Sequence, residues 1–447
     1  MSLLASKTYY GGDFMGSTAI LKPLSLKKSK NTLTKASKSV DGRDVLEDLN
    51  DQGSSSVKYG KSKKSGKSSK SNIYSGAKNR IKSIDVIRGL TIALMIVCNN
   101  PGNWARIYPQ LRHIEWNGYV LADLGFPFFV IALGVTIPIS IDRRLKKKDS
   151  IQKISLNIVR RSIMLFMIGL FLNYLKDQDL NTIRILGVLQ RMSIVYLVTS
   201  FTYLLMKKAK KKDLFIISSM ISISACIIVG YYFVAKPYGF QLEGSLAQRV
   251  DMFFFDGHLY NPNFEPDGFL TSIVAISSGM LGCSMGCIVN NKKLGEYKKF
   301  FILLAFGILM LVLSKQFNEY FPYNKKLWSS SFVLLTAGYY GVLLSILYLI
   351  CDIFNLNKVF TPIIALGSSP IFIYVLLESI QTLFWNKMVT SDIPPYNQII
   401  LSGDFTNTYI TPWAGSTWDS LVFSIGYLIL WTIIMMFIYK KNIVIKL

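Results

Sequence analysis

The chain has 447 residues, of which 51% are hydrophobic and only 17% are charged. An ordinary soluble domain carries roughly 25% charged residues, so a single aqueous globule would leave much of this apolar surface exposed. The net charge of +24 does not indicate nucleic acid binding, because the first 83 residues alone hold 17 Lys and Arg against 6 Asp and Glu. Much of the remaining positive charge lies in short loops between apolar runs, which is typical of membrane proteins and not of a groove that follows phosphates.

The first segment, residues 1–80, is rich in Ser, Lys and Gly. It holds too few apolar residues to offset the entropy that ordering would cost. We therefore expect a disordered, basic cytosolic tail, followed by a transmembrane domain over residues 81–447.

Apolar runs of about 20 residues, long enough to cross a bilayer as helices, follow one another along the rest of the chain. Helices satisfy their own backbone hydrogen bonds in lipid, so the sequence predicts an all-α, polytopic helical bundle with about ten transmembrane helices. The predicted spans are residues 84–101, 118–141, 157–175, 183–206, 213–235, 268–290, 299–317, 329–351, 361–386 and 417–439.

Lys and Arg concentrate in alternate loops, which predicts that both termini are cytosolic. The loop with Lys325 and Lys326 is an exception to this pattern. The basic positions assigned to the cytosolic side are the tail, Arg143 to Lys148, Lys207 to Lys212, Lys292 to Lys299, and Lys440 with Lys441.

Charged residues fall inside or beside several predicted spans: Asp85, Arg88, Asp123, Arg191 and Glu378. A charge at membrane depth costs several kcal/mol unless it is paired or hydrated, so it often marks a polar cavity or pathway. Structural ion pairs between these acids and arginines are an equal alternative. Arginines in a hydrated cavity would also suit a phosphate-bearing ligand.

Histidine occurs only twice, at His113 and His258, and both lie in loops that the topology places on the non-cytosolic side. A histidine there can act as a general base or a nucleophile, because its ordinary pKa lies near neutrality. The alternative is a surface residue, with Trp116 as an ordinary interfacial neighbour.

The segment from Asn261 to Gly268 precedes the sixth predicted span and carries two acids, Glu265 and Asp267. Its Pro and Asn residues favour a turn. The acids can bind a sugar or an amine, and a plain turn that starts a helix explains the segment nearly as well.

No metal site is predicted. All five cysteines fall in predicted spans, and Cys283 and Cys287, one helical turn apart, have no His or carboxylate at ligand spacing. Helix packing is the expected role of these two thiols.

Several segments, taken together and in this order, resemble the heparan-α-glucosaminide N-acetyltransferase family over roughly residues 80 to 440. Each is weak alone, and their joint occurrence is specific. The segments are Ser83 to Met95, Asn99 to Gly102, His113 to Gly118, Asp123 to Val130, Arg184 to Arg191, Phe264 to Gly268 and Leu327 to Phe332.

The resemblance implies transfer of an acetyl group from acetyl-CoA to a terminal glucosamine amine on the far side of the lysosomal membrane. It implies that His113 is the catalytic histidine and that an asparagine at the end of the first span assists. That asparagine is Asn99, with Asn100 as the alternative register. The animal lysosomal members carry a luminal N-terminal domain where this chain has a basic tail, so lysosomal residence and heparan specificity stay open.

The leading hypothesis is a membrane-embedded acyltransferase, and the second is a multi-pass transporter that uses Asp85, Arg88, Asp123 and Arg191 as a relay. For the enzyme, the residues expected at the cofactor site are Arg88, Arg191, Asp85 and Asp123. The arginines are expected to neutralise CoA phosphates or to pair with the two acids. The residues expected to contact the acceptor are Glu265, Asp267, Trp116 and Asn117. The expected partners are the bilayer, an amino-sugar or other amine acceptor and, as an option, a second copy in a homodimer; the expected location is a lysosomal or other endomembrane.

Overall fold

The computed structural model describes residues 81–390, 398–441 and 443. The predicted tail, residues 1–80, lies outside the described residues, and its disorder stays a prediction.

The described chain consists of helices joined by loops, with one pair of three-residue strands, β1 (Met388–Thr390) and β2 (Gln398–Ile400), which pair antiparallel. The helices are α1 (Lys82–Asn99), α2 (Leu121–Lys146), α3 (Ile151–Asp177), α4 (Val188–Lys208), α5 (Asp213–Ala235), α6 (Leu246–Phe255), α7 (Phe269–Asn290), α8 (Glu296–Asn318), α9 (Ser330–Tyr348), α10 (Thr361–Gly367), α11 (Pro370–Ile380), α12 (Leu401–Phe405), α13 (Thr411–Ala414) and α14 (Asp419–Lys440).

The prediction of an all-α, multi-pass membrane protein is confirmed. Within the described residues, 8 helices are long and apolar enough to cross a membrane, or up to 9 if a bent pair counts as one span. The first predicted span is also a helix, α1, but it is not among these because Lys82, Asp85 and Arg88 fall within its 18 residues. The cytosolic placement of the two termini stays a prediction.

The ninth predicted span, residues 361–386, is not one continuous helix. It is broken between α10 and α11, which meet at an angle of 77°. Pro370 opens α11 without a backbone N–H and disfavours a helical conformation at the residue before it, and Ser369 indeed has φ −137° and ψ 59°. Hydropathy alone did not register this break, because both halves are apolar.

The centre of the bundle is α7, whose span is 94% buried, packed against α2, α4 and α5. Small residues let α2 and α7 approach closely, as is common between membrane helices. A Cβ atom on Gly282 would lie 2.3 Å from the carbonyl oxygen of Ile131, and one on Gly286 would lie 2.3 Å from that of Val135. Glycine is therefore required at both positions by the neighbouring backbone.

The outer ring consists of α3, α5, α8 and α14, which leave most of their apolar surface exposed; the span in α8 is only 22% buried. Such exposed apolar faces suit a lipid environment. At one end of the bundle α1 ends and α2, α4, α7 and α9 begin, and we call this the His113 end.

Candidate functional site: a histidine–carboxylate pair at one end of the bundle

His113 lies in the loop that joins α1 to α2, which contains two short 3-10 turns, Trp104–Arg106 and Pro109–Leu111. The loop leads into α2 through Gly118, which has φ +106°, a conformation that glycine adopts readily. The backbone N–H of Gly118 donates to the carbonyl of Tyr323 at 2.7 Å and ties this loop to the one between α8 and α9. The His113 side chain keeps 43% of its surface exposed, so a substrate can reach it.

The structure places Asp123, one of the predicted cofactor-binding residues, against His113. The Asp123 Oδ1 atom lies 2.8 Å from His113 Nδ1, and the carboxylate is only 1% exposed. Its Oδ2 atom accepts hydrogen bonds from the backbone N–H groups of Val120 at 3.2 Å and Ile114 at 3.4 Å. Asp123 is thus fixed both by the first turn of α2 and by the His113 loop.

This contact favours one tautomer of the imidazole. An ionised carboxylate only accepts hydrogen bonds, so we assign the proton between the two groups to Nδ1 of His113. Nε2 of the neutral ring then carries a lone pair, which is the form that can take a proton or attack a carbonyl.

Lys325 is the third member of this site, and the sequence reasoning did not assign it a role. Its Nζ atom lies 3.3 Å from Asp123 Oδ1 and 3.3 Å from His113 Nδ1. Partial burial of the ring and the charge of Lys325 lower the pKa of His113, while the hydrogen bond to Asp123 opposes them. The one signal for Lys325 in the sequence was its place, with Lys326, in a basic loop on the side of the membrane where few basic residues are expected.

Asn99, the predicted assisting asparagine, is the last residue of α1 and is partly buried. A Cβ atom on Gly125, two residues after Asp123, would lie 3.2 Å from the Met95 side chain of α1, so the end of α1 packs beside the first turns of α2, which carry Asp123. The alternative, Asn100, is buried, and its side-chain N–H donates to the Ile96 carbonyl at 2.9 Å. Because this hydrogen bond occupies the Asn100 amide, the Asn99 side chain is the more available of the two for a substrate.

The acids predicted to bind substrate form a buried ion-pair cluster with arginines. Glu265 is fully buried, and its carboxylate pairs with both the Nε and the Nη2 of Arg184. Asp267 is 13% exposed and lies 3.1 Å from Arg184 and 3.5 Å from Arg191. Burial lowers the pKa of Arg184, but Glu265 and Asp267 outweigh it and raise the pKa above its ordinary value.

Arg191, predicted to bind CoA phosphates, is 1% exposed and fully engaged inside the protein. Its guanidinium donates to the Thr271 hydroxyl at 2.6 Å and to the Pro266 carbonyl at 3.1 Å. It also lies over the Trp328 ring, 4.5 Å from the centroid. These contacts join α4, α7 and the start of α9, and they favour a structural role for Arg191.

Asp85 and Arg88 lie at the opposite end of α1 from the His113 site and pair with each other. Asn99 is eleven positions after Arg88 in α1, so a rise of about 1.5 Å per residue puts them roughly 16 Å apart along the helix axis. The four residues grouped as cofactor-binding in the sequence therefore do not form one cluster. Glu378, the remaining intramembrane acid, lies 3.2 Å from Lys176.

Trp116 and Asn117 both lie in the His113 loop and are held by other loops. The indole N–H of Trp116 donates to the Phe240 carbonyl at 2.9 Å. The Asn117 side-chain oxygen accepts from Asn324 at 3.2 Å. His258, the other histidine, has its Nδ1 atom 2.9 Å from the Ile183 carbonyl and has no carboxylate partner among the contacts of the described residues.

No group of three or more His, Cys, Asp or Glu side chains able to hold a metal occurs in the described part of the chain. Cys283 and Cys287 are free, buried thiols on α7.

The fold and this site define a class, a multi-pass helical membrane protein with a histidine–carboxylate pair at one end of the bundle. The family model described as heparan-alpha-glucosaminide N-acetyltransferase, catalytic, matches residues 80–244. This range contains α1 to α5, with Asn99, His113 and Asp123. The resemblance noted in the sequence is thereby confirmed.

Two curated relatives named heparan-alpha-glucosaminide N-acetyltransferase are similar to this chain. The one from Mus musculus is 28% identical and the one from Homo sapiens 29% identical, each over 362 residues. Each match covers 68% of this chain and 54% of the relative. The chain thus spans about half the length of the curated relatives it matches.

Proposed function

We propose that this protein is a membrane-embedded acetyltransferase that moves an acetyl group from acetyl-CoA to an amine. The observation that carries the proposal is the 2.8 Å contact between His113 and Asp123, within the segment that matches the family's catalytic region. A neutral imidazole oriented by a carboxylate is suited to proton transfer and to nucleophilic attack.

Two routes use the same atoms. In direct transfer, the amine attacks the thioester carbonyl, a C–N bond forms, the C–S bond breaks, and Nε2 of His113 takes the proton that the amine loses. In the stepwise route, Nε2 attacks the thioester carbonyl and CoA leaves as thiolate. The amine then attacks the acetyl carbonyl, the bond from the acetyl carbon to Nε2 breaks, and the freed Nε2 takes the proton that the amine loses. In both routes positive charge develops on the imidazole, and Asp123 stabilises it through Nδ1–H.

Asn99 is proposed to donate a hydrogen bond to the oxyanion that forms at the acetyl carbonyl. Loss of one such donor costs roughly 3 kcal/mol of transition-state stabilisation in another enzyme. The end of α1 beside the histidine–carboxylate pair supports this role.

The donor is proposed to extend from the acetyl group at His113 toward the opposite end of the bundle. Of the arginines predicted to neutralise CoA phosphates, Arg88 is favoured over Arg191, because the Arg88 side chain is 19% exposed and the Arg191 side chain is 1% exposed. A guanidinium with remaining exposure can still reach a phosphate.

The acceptor is proposed to be an amino sugar, such as a terminal hexosamine of a glycan, that binds at the His113 end. Among the acids predicted to hold its amine, Asp267 is favoured over Glu265, because Glu265 is fully buried and its oxygens are already bonded to Arg184 and to two backbone N–H groups. We also propose a lysosomal or other endomembrane location and, as an option, a homodimer.

The test is acetyl transfer in membranes that contain the full chain, with labelled acetyl-CoA and a panel of free amino sugars, and empty membranes as the control. Label on an amino sugar, dependent on the chain, is the expected result. Movement of amino sugar across sealed vesicles without CoA, and no label on any sugar, would contradict the proposal and favour the transporter.

A further inference from the structure

We propose that Lys325 is a positioning residue of this site, whose ammonium shares the Asp123 carboxylate with His113 and so keeps the imidazole neutral and its Nε2 atom available. The inference rests on the proposed role of His113. Lys325 is not proposed to contact the substrate. It acts through His113 and Asp123, the two residues that it contacts.

The three groups form a tight triangle. The Asp123 Oδ1 atom lies 2.8 Å from His113 Nδ1 and 3.3 Å from Lys325 Nζ, and the ammonium lies 3.3 Å from the ring nitrogen. One carboxylate thus serves two groups that both carry positive charge when protonated. Since like charges at this distance repel, protonation of His113 is disfavoured as long as Lys325 stays in place.

The backbone around Lys325 is held firmly, so the triangle is built into the fold. Asn324 is fully buried; its N–H donates to the Ser329 hydroxyl at 3.0 Å, and its side-chain oxygen accepts from the Leu327 N–H at 2.8 Å. The Trp328 N–H donates to the Lys325 carbonyl at 3.1 Å. These bonds fix the turn that directs Lys325 toward the histidine.

Other charged groups around His113 are more distant or more exposed. Lys326, on the same turn, lies with its Nζ atom 6.0 Å from the centroid of the Trp116 ring and acts on His113 less than Lys325 does. In the histidine's own loop, the Arg112 side chain is 43% exposed and the Glu115 side chain is 77% exposed, so water screens both. From α2 the facing group is Asp123.

The position of Lys325 in the sequence has a physical reason on this proposal. Lys325 and Lys326 occupy a loop on the side of the membrane that the other loops leave poor in Lys and Arg. A lysine that serves the histidine–carboxylate pair gives this exception a physical reason.

The experiment compares wild type, Lys325→Gln, Lys325→Arg and Lys326→Gln, each as the full chain in membranes. The pH dependence of kcat/KM reports the protonation of the free enzyme's essential base between about pH 5 and 8. Lys325→Gln is expected to move the acid-side midpoint to higher pH, Lys325→Arg to restore it toward the wild-type position, and Lys326→Gln to move it less.

A second readout does not depend on activity. Diethyl pyrocarbonate modifies neutral imidazole, and mass spectrometry can follow His113 against pH with His258 as the internal reference in the same protein. Lys325→Gln should move the His113 midpoint to higher pH and leave that of His258 in place. A His113 midpoint that moves no more in Lys325→Gln than in Lys326→Gln would overturn the inference, whether or not the protein acetylates an amino sugar.

Discussion

The side-chain N–H of Asn324 donates to the side-chain oxygen of Asn117 at 3.2 Å, across 207 residues of sequence. This bond joins the loop that carries His113 to the loop that carries Lys325. Together with the bond from Gly118 to Tyr323, it makes the relative position of the two charged side chains a property of the fold.

Replacement of Asn324 by Ala should therefore lower both stability and activity. The substitution leaves the buried acceptor and donor groups of the turn without partners, which costs about 1–3 kcal/mol for each group that stays unsatisfied. Thermal unfolding in detergent and kcat/KM measure the two effects. The matched control is Asn181→Ala, at an exposed position whose side chain donates to Asp179 at 3.1 Å; an equal loss in both variants would contradict the role given to Asn324.

Glu265→Gln should destabilise the fold at the ion-pair cluster. Breaking a buried ion pair by removing one partner costs about 3–5 kcal/mol, and the lower end applies here because Asp267 still lies 3.1 Å from Arg184. The midpoint of thermal unfolding is the measurement. Glu115→Gln, at a side chain that is 77% exposed, serves as the control and should leave the midpoint nearly unchanged. An unchanged midpoint in Glu265→Gln would mean that the ion pair between Glu265 and Arg184 does not hold the loop before α7.

Gly282→Ala should separate α7 from α2. The new Cβ atom would lie 2.3 Å from the Ile131 carbonyl oxygen, and overpacking of this kind costs roughly 1–3 kcal/mol. Gly230→Ala in α5 is the control, since a Cβ atom there meets nothing within 4 Å and alanine favours the helix. A lower unfolding temperature is expected for Gly282→Ala alone, and equal unfolding temperatures in the two variants would be evidence against the close helix contact.

Asp251→Asn should change how stability depends on pH. Asp251 is fully buried on α6 and accepts from the Phe269 N–H at 2.7 Å, and burial raises its pKa from 3.8 to about 7. A carboxyl whose pKa is raised by folding stabilises the fold below its unfolded pKa, and this contribution is lost as the pH rises through about 7.

The measurement for Asp251 is the unfolding temperature from about pH 4 to 8. Wild type should lose stability relative to Asp251→Asn as the pH rises through this range. Asp256→Asn, five residues later at an exposed position, should follow wild type. Parallel curves for wild type and Asp251→Asn would show that Asp251 does not titrate in this window.

The sequence was sufficient for the class of fold, because apolar runs are a local property and each predicted span corresponds to a helix or, for residues 361–386, to a broken one. It also predicted His113 as the catalytic residue, through the segment that resembles a family, and this role stays a prediction. The break at Ser369 was missed, since hydropathy averages over a window and does not sense the backbone restriction that Pro370 imposes.

The arrangement of the site could not be read from the sequence in the same way. Asp123 was assigned to the cofactor, yet it bonds to a histidine ten residues earlier in a loop of irregular conformation. Lys325 is 212 residues from His113, and Arg184 is 81 residues from Glu265. Such pairings depend on how helices pack, and one sequence does not reveal them.

The most direct test of the central claim is the rate of acetyl transfer by His113→Ala, Asp123→Asn and His258→Ala, at equal amounts of folded protein in membranes. General acid–base catalysis contributes about 10²- to 10⁴-fold to the rate, so His113→Ala should lower the rate of acetyl transfer by at least about 10²-fold. Asp123→Asn should also lose activity, because the amide no longer holds the tautomer, and His258→Ala should stay close to wild type. Full activity in His113→Ala would contradict the account.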